Sequence, residues 1–234
     1  MGLHQKAVAE ESLESIDFKD KNVLDIGCGN GSLSIDIFQT SGAKNWTGID
    51  TAMDRISTAK QTVKDLDLKN IDFVLGKAEN LSKFENNTFD IIFCNMAFQQ
   101  FKDPETALKE IKRVLKHGGL AIINFNEAKS PFWIKQEEIE NEMSGKNNEI
   151  SATKKIDRQE FLIMANIIGF GEILAESRDS TVFYKNADEV IKDFQLTPNS
   201  NLNIIPKFRT YLESIKTGQG IPETWKMVFA KLVK

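Results

Sequence analysis

From residue 22 onward the chain alternates short apolar runs with stretches of helical periodicity. Asn22 to Ile26 reads as a buried strand, and Gly27 to Gly31 punctuates it. A helical pattern through Leu33 and Ile37 ends near Gly42. Trp46 to Asp50 predicts a second strand, Ala52 to Leu66 a helix, and Ile71 to Leu75 a third strand. Phe89 to Cys94 is an almost unbroken apolar run, as a strand covered on both faces requires. After Pro104, Ala107, Ile111, Val114 and Leu115 share one helical face, with Lys109, Glu110, Lys112, Arg113 and Lys116 directed outward. His117-Gly118-Gly119 predicts the helix stop, with His117 near its C-terminus where a cation suits the dipole. Leu120 to Phe125 is a fifth strand. Strand and helix alternating in this way predict a parallel sheet with right-handed crossovers.

The second half is less regular. Residues 127–157 are polar and charged, opened by Pro131, Phe132 and Trp133. The pattern predicts a loose helix from Glu137 to Met143 and a flexible stretch from Gly145 to Ser151. A helix from Phe161 to Ile168 closes at Gly169, and Ile173 to Tyr184 alternates as a strand. Ala187 to Phe194 and Lys207 to Ile215 are short helical patterns around Pro198 and Pro206, and Trp225 to Leu232 is the final strand.

Composition narrows the class. The 234 residues suit one large domain, and 41% apolar with 27% charged residues is a globular balance. A net charge of −4 weighs against a dedicated nucleic-acid binder. No apolar run approaches the length of a spanning helix, and the polar MGLHQKAVAEESLES start is unlike a signal peptide. Two cysteines, Cys28 and Cys94, and two histidines, His4 and His117, make neither a disulfide framework nor a metal centre. A reducing, cytoplasmic setting is expected.

Candidate chemistry starts at Val23-Leu24-Asp25-Ile26-Gly27-Cys28-Gly29-Asn30-Gly31. Glycines there let a strand turn sharply into a helix and let backbone approach a ligand. A tight turn without a ligand is the alternative. Asp25 should face the crevice at the sheet's carboxyl edge and could hold a cationic amine. Asp50 ends the second strand, where an acid can accept both ribose hydroxyls or simply cap the Ala52 helix. The pair fits a nicotinamide dinucleotide or S-adenosylmethionine. Ser32 replaces the third glycine of a dinucleotide fingerprint. A Tyr-x-x-x-Lys pair is missing, since Tyr184 and Tyr211 precede Asp188 and Ile215 at that spacing.

VLDIGCGNG, then GID, GKAENL, FDIIFCNMAFQQF and KEIKRVLKHGGLAIINF together resemble class I S-adenosylmethionine-dependent methyltransferases. The resemblance is to the small-molecule branch that includes quinone-pathway and malonyl-carrier-protein methyltransferases, and it covers roughly residues 20 to 126. It implies an α/β, doubly wound, seven-stranded, mostly parallel sheet (the Rossmann-like methyltransferase fold) with a C-terminal antiparallel strand. Residues 1–234 would form one domain, with an N-terminal helical segment at 1–20 and helical cap insertions at 127–157 and 186–222 covering the substrate. By the same resemblance, Asp25, Gly27, Cys28, Gly29 and Gly31 wrap the methionine part of the cofactor. Asp50 takes the ribose, followed by Thr51, and Met53 packs on the adenine. Lys77, Ala78 and Glu79 form the adenine-edge segment. Asn95 ends the fourth strand beside the cofactor's ammonium, and Met96 and Phe98 line the path to the acceptor. Two positions depart from the family. Lys77 stands where an Asp or Asn accepts from the adenine amino group, leaving Glu79 as a substitute acceptor. Gln99-Gln100 stands where relatives often carry histidines.

Methyl transfer from a sulfonium needs alignment and exclusion of water, and a base only where the acceptor loses a proton. His4, on a segment that could fold over the site, and Tyr184 are the candidates, against plain surface or packing roles. Asn95-Met96-Ala97-Phe98 is not the Asn/Asp-Pro-Pro-Tyr tetrad of DNA or glutamine amino-methylation. Cys28 and Cys94 read as packing residues, and no metal cluster is expected. Phe132, Trp133, Ile134, Phe161, Met164, Phe194 and Phe208 make either the core of a cap or an apolar acceptor pocket. The expected partner is a small-molecule methyl acceptor, with no nucleic acid and no membrane, for a monomer or homodimer. An NAD-dependent oxidoreductase and a non-catalytic cofactor binder are the competing classes.

Overall fold

The computed structural model describes residues 2–144, 156–195 and 204–234. The stretch from Gly145 to Ser151 and the surroundings of Pro198 lie outside the described residues, as does the side chain of Phe194. Helix α1 (Leu3–Leu13) precedes β1 (Asn22–Ile26), α2 (Ser32–Ser41), β2 (Asn45–Asp50), α3 (Met53–Asp65) and β3 (Ile71–Leu75). Then come β4 (Phe89–Asn95), a short 3-10 turn (Phe98–Gln100), α4 (Pro104–Val114) and β5 (Leu115–Asn126). The remainder is α5 (Pro131–Ser144), α6 (Arg158–Ile168), β6 (Glu172–Tyr184), α7 (Ala187–Gln195), α8 (Ile205–Ser214) and β7 (Ile221–Val233).

Seven strands lie in the order β3-β2-β1-β4-β5-β7-β6. β1 to β5 pair in parallel, and β7 runs antiparallel between β5 and β6. This is the expected doubly wound sheet, a Rossmann-like methyltransferase fold. Chain order reverses between β1 and β4, which opens a crevice at their carboxyl ends. One face carries α1, α2 and α3 over Val23, Ile35, Trp46, Phe73 and Phe93. The other carries α4 and α6 over Leu24, Ile92, Ile111, Phe125 and Phe161. Side chains alternate along each strand, so Asp25 and Asp50 fall on the α1–α3 face.

Three of the boundaries that differ from the sequence expectation have a visible physical cause. Helix α4 stops at Val114, three residues before His117. Leu115 is already extended and pairs with Phe89, and its full burial in the sheet outweighs another half-turn of helix. The next parallel pair is Ile91 with Leu120, so residues 116–119 bulge outward, with Gly118 at φ +71°. His117 is exposed on that bulge and caps no helix. Helix α5 begins at Pro131 rather than Glu137. Pro is favoured at a first helical position, and Ser130 Oγ accepts from Trp133 N at 3.4 Å.

The third difference sets the shape of the cap. β6 and β7 pair over their full length, from Glu172 opposite Val233 to Tyr184 opposite Ile221. β5 matches β7 only up to Asn126 opposite Met227. The last six pairs of the hairpin therefore project about 20 Å past the carboxyl edge of the parallel strands. Pro222 and Glu223 hid the start of β7 in the sequence. Pro222 is tolerated because β7 has lost its β5 neighbour there and is an edge strand. On the projecting part sits a separate apolar cluster of Phe132, Val182, Tyr184, Val190, Phe208 and Ile221, joining α5, α7 and α8. Helices α5, α7 and α8, from the two segments expected to form a cap, thus pack on the hairpin.

Candidate cofactor and acceptor site

The loop after β1 is bound to β2 by its own backbone. Gly27 N and Cys28 N both donate to Ile49 O, at 2.8 and 3.0 Å. Gly27, Gly29 and Gly31 all have positive φ, but for different ends. A side-chain carbon at Gly27 would meet Ala97 Cβ at 2.3 Å, and one at Gly31 would meet Phe73 and Ala59 below 3 Å. At Gly29 it would meet nothing within 4 Å. Gly27 and Gly31 therefore permit protein packing, whereas Gly29 leaves open space at the crevice. Cys28 turns its side chain inward beside Gly48, and burial pushes its thiol pKa up.

Gly29 N donates to Asp50 Oδ2 at 2.9 Å, and Ala52 N donates to Asp50 Oδ1 at 2.9 Å. Ala52 is itself the N-cap of α3, so Asp50 closes a turn before the helix and is not its cap. Asp25 is 3% exposed and accepts from Ser34 Oγ at 2.5 Å. Burial raises its carboxyl to about 7, the Ser34 bond opposing the shift and the Asp50 charge adding to it. Thr51 is exposed and Met53 is 60% exposed next to this turn, an apolar side chain left at the crevice rim.

The adenine-edge segment follows β3. Ala78 is buried with Ile49 and Leu81, which leaves only its backbone for a ligand. Glu79 Oε1 accepts from Lys102 N at 2.9 Å and so pins the loop before α4. Lys77 is exposed and borders a cavity of about 200 Å3 that is also lined by Ile49, Val74, Leu81 and Phe84. Ile49 places that cavity on the α4 face, away from Asp25 and Asp50.

At the end of β4, Met96 has φ +54°, a left-handed conformation uncommon outside glycine. Its N–H donates to Asn124 O at 2.7 Å. Asn95 Nδ2 donates to Gln5 O at 2.9 Å, and Asn124 Nδ2 donates to Ser12 Oγ at 2.7 Å. Helix α1 is thereby laid across the ends of β4 and β5. Val8 and Met96 pack with Met227, Phe229 and Trp225 beneath it. Phe98 is not on a path to an acceptor. It is fully buried against Phe101, Phe125 and Phe161 on the α4 face.

The two proton-transfer candidates are both buried against the hairpin. His4 stacks on Trp225, with ring centroids 5.0 Å apart, and its Nε2 lies 3.2 Å from Ser180 O. Tyr184 lies at the far end of β6, its hydroxyl 2.6 Å from Asp193 Oδ2 and 3.1 Å from Glu223 Oε2. One hydroxyl has one proton to give. It is shared between the two carboxyls, with Asp193 Oδ2 the nearer acceptor. Burial raises the Glu223 carboxyl to about 7, and Ser130 Oγ donates to its other oxygen at 3.1 Å. Burial also pushes the Tyr184 hydroxyl pKa up, so Tyr184 is held protonated and is a poor base. Glu223, Asp193 and Asn124 escaped the sequence reading. A lone acid on the inward face of a strand, as at Glu223, was the available signal. The apolar acceptor-pocket candidates do not converge: Phe132 and Phe208 fill the cap core, while Phe161 and Met164 belong to the main core. No cluster of metal ligands occurs among the described residues.

A switch-point crevice with a glycine loop, an acid ending β2 and a buried carboxyl is thus set on a doubly wound sheet. A family model described as a methyltransferase domain matches residues 17–192, and the chain belongs to that family. It is 33% identical over 117 residues to a demethylmenaquinone methyltransferase of Listeria welshimeri, covering 49% of each. It is 35% identical over 105 residues to the Staphylococcus epidermidis enzyme of that name, covering 44% of this chain and 42% of the relative. The chain thus spans about half the length of the curated relatives it matches. Among solved structures, the YcgJ protein from Bacillus subtilis superposes with a TM-score of 0.70 at 18% identity, covering 97% of both chains. A Haemonchus contortus phosphoethanolamine N-methyltransferase 2, solved with S-adenosyl-L-methionine, superposes with a TM-score of 0.64 at 18% identity. That match covers all of this chain and 53% of the other.

Proposed function

We propose that the chain is an S-adenosylmethionine-dependent methyltransferase acting on a small-molecule acceptor. The observation that carries this reading is the Gly29–Asp50 pairing at the switch point, with open space at Gly29 and the buried Asp25 carboxyl beside it. These residues fit the cofactor's chemistry. Asp25 supplies a desolvated negative charge for an ammonium, and Asp50 supplies carboxylate oxygens for ribose hydroxyls. Met53 offers an apolar surface to a flat base, and the Ala78 backbone an edge contact. Bound there, S-adenosylmethionine would supply an electrophilic methyl group. The chain's own task is to align the acceptor and keep water out, and α1 with the projecting hairpin forms the roof.

The names of the curated relatives favour a quinone such as demethylmenaquinone as the acceptor. The apolar cluster of Met96, Met227 and Phe229 beneath α1 suits a ring of that kind. A reducing, cytoplasmic setting accords with the free thiols of Cys28 and Cys94. Isothermal titration with S-adenosylhomocysteine and with NAD tests the reading. Micromolar binding of the sulfur nucleotide and none of NAD is expected, and the reverse overturns it.

A further inference from the structure

We propose that His4 is a catalytic residue that takes the proton of the methyl acceptor, and that the acceptor nucleophile is accordingly an O–H, N–H or acidic C–H group. The proposal rests on the methyltransferase reading and deepens it. Its basis is the tautomer. Ser180 O can only accept, so the 3.2 Å contact puts the ring proton on Nε2. Nδ1 is left as a bare lone pair. It is buried, and no described residue donates to it. Buried polar atoms are ordinarily satisfied, so an orphaned basic nitrogen calls for a donor from outside the chain.

The ring is also held in place. Trp225 stacks on one face, and the whole residue is 3% exposed. Ser180 thereby orients the imidazole, as a general base requires. Its position is the relevant one. The next residue, Gln5, receives the Asn95 amide at the end of β4, and Trp225 packs in the same cluster as Met96. Asn124 Oδ1 and Asn126 Oδ1 lie two residues apart on the same face of β5 and are likewise buried without a donor. The orphaned acceptors of His4 on α1 and of Asn124, which is bonded to Ser12 of that helix, suit a ligand that brings hydrogen-bond donors.

Burial keeps the ring neutral, its pKa lowered to about 4, against the raising effects of the Ser180 bond and the Asp193 charge. The lone pair is therefore unprotonated at neutral pH, while the same desolvation makes it a weaker base than a free imidazole. Asp193 on α7 accepts from Leu3 N at the start of α1 and from Tyr184 on the hairpin, Asp179 and Lys226 flank the His4 contacts in sequence, and the Asp193 charge favours the imidazolium once formed. In the step, the acceptor atom gains the methyl carbon, the sulfonium–methyl bond breaks to leave a thioether, and the acceptor's proton passes to His4 Nδ1. It leaves for solvent when the product departs.

The test uses the full chain with 15N-labelled histidine, S-adenosylhomocysteine and 1,4-dihydroxynaphthalene as a small two-hydroxyl probe. Long-range 1H–15N spectra are expected to show His4 as the neutral Nε2–H tautomer, with its Nδ1 resonance moving when the diol is added to the nucleoside complex. The other tautomer, or an unmoved Nδ1, overturns the proposal. His4→Phe keeps the stack on Trp225 and is expected to bind S-adenosylhomocysteine within twofold of the parent. Its methyl transfer to the diol should fall by about 100-fold or more, with partial rescue by added imidazole. A fall of less than threefold, or no transfer to the diol by the parent, also overturns the proposal. A parent chain that does not bind S-adenosylhomocysteine at all overturns instead the methyltransferase reading beneath it.

Discussion

Residues 22–126 and residues 127–234 are stabilised in different ways. In the first half strands and helices alternate except between β3 and β4, and the polar groups of the site sit where strands end: Asp25, Asp50 and Asn95. The two acids have partners within this half, Ser34 for Asp25 and Gly29 and Ala52 for Asp50, while Asn95 reaches back to Gln5 on α1. In the second half the polar groups unite distant elements. Tyr184 on β6, Glu223 on β7, Asp193 on α7 and Ser130 before α5 meet in one cluster, and Asp193 also accepts from Leu3 N at the start of α1. On the proposed reading the first half is a cofactor cradle shaped by its turns, and the second is a roof whose buried carboxyls tie distant pieces together over it.

The sharpest way to break this comparison is within the glycine loop. Gly31→Val forces a side chain into Phe73 and Ala59 at a positive φ, and should cost about 3 kcal/mol or more in urea unfolding. Gly29→Val meets no protein atom, so it should lose no more than about 2 kcal/mol of stability yet abolish measurable S-adenosylhomocysteine binding in calorimetry. Equal effects of the two on stability would erase the division of labour between these glycines.

Next in size is Asp50→Ala, expected to weaken nucleoside binding by about 2–4 kcal/mol through two lost charge-assisted hydrogen bonds. A loss of a few tenths would leave Asp50 as a pin between Gly29 and Ala52 only.

Asp25 and Glu223 give each half a pH signature. Both folded-state pKa values are raised to about 7, above those of the unfolded chain. Their stabilising contributions are complete below about pH 4 and are lost as pH rises through about 7, with a slope of up to about 1.4 kcal/mol per pH unit for each proton. His4, with its pKa lowered to about 4, works in the opposite sense, and its contribution is lost as pH falls below about 6.5. Asp25→Asn should remove one proton's worth of slope between pH 4 and 7 in urea titrations. It should also abolish the proton release expected when a cationic nucleoside binds near pH 6. An unchanged slope would mean that Asp25 is ionised throughout.

The smallest expected effect sharpens the account of the roof. Tyr184→Phe deprives Asp193 and Glu223 of their shared hydroxyl and should cost about 1–2 kcal/mol by thermal unfolding. It should leave S-adenosylhomocysteine affinity unchanged. A drop in that affinity would make the cluster part of the cradle.

The cradle was largely legible beforehand. The strand positions, the loop from Gly27 to Gly31 and the acids Asp25 and Asp50 all stand where the apolar pattern and spacing put them. Helix α4 ended early because pairing of Leu115 with Phe89 is a contact between strands that no helical pattern contains. Phe98 went to the core for a similar reason: its partner Phe161 lies more than 60 residues away and on another element. His4 was visible only as a histidine near the start, since its contacts, Ser180 and Trp225, are supplied by the hairpin.

Taken alone, the amino-acid order determined the alternation of strands and helices, the sharp turn after β1 and the acids beside it. Periodicity and glycine conformation act over a few residues, so their outcome is written locally. Only the folded chain decided how far β6 and β7 overrun the sheet, which side α1 covers, and which polar groups are buried together under it. Those outcomes depend on strand register and on contacts between residues more than 100 positions apart, whose energies exist only once the whole core has assembled.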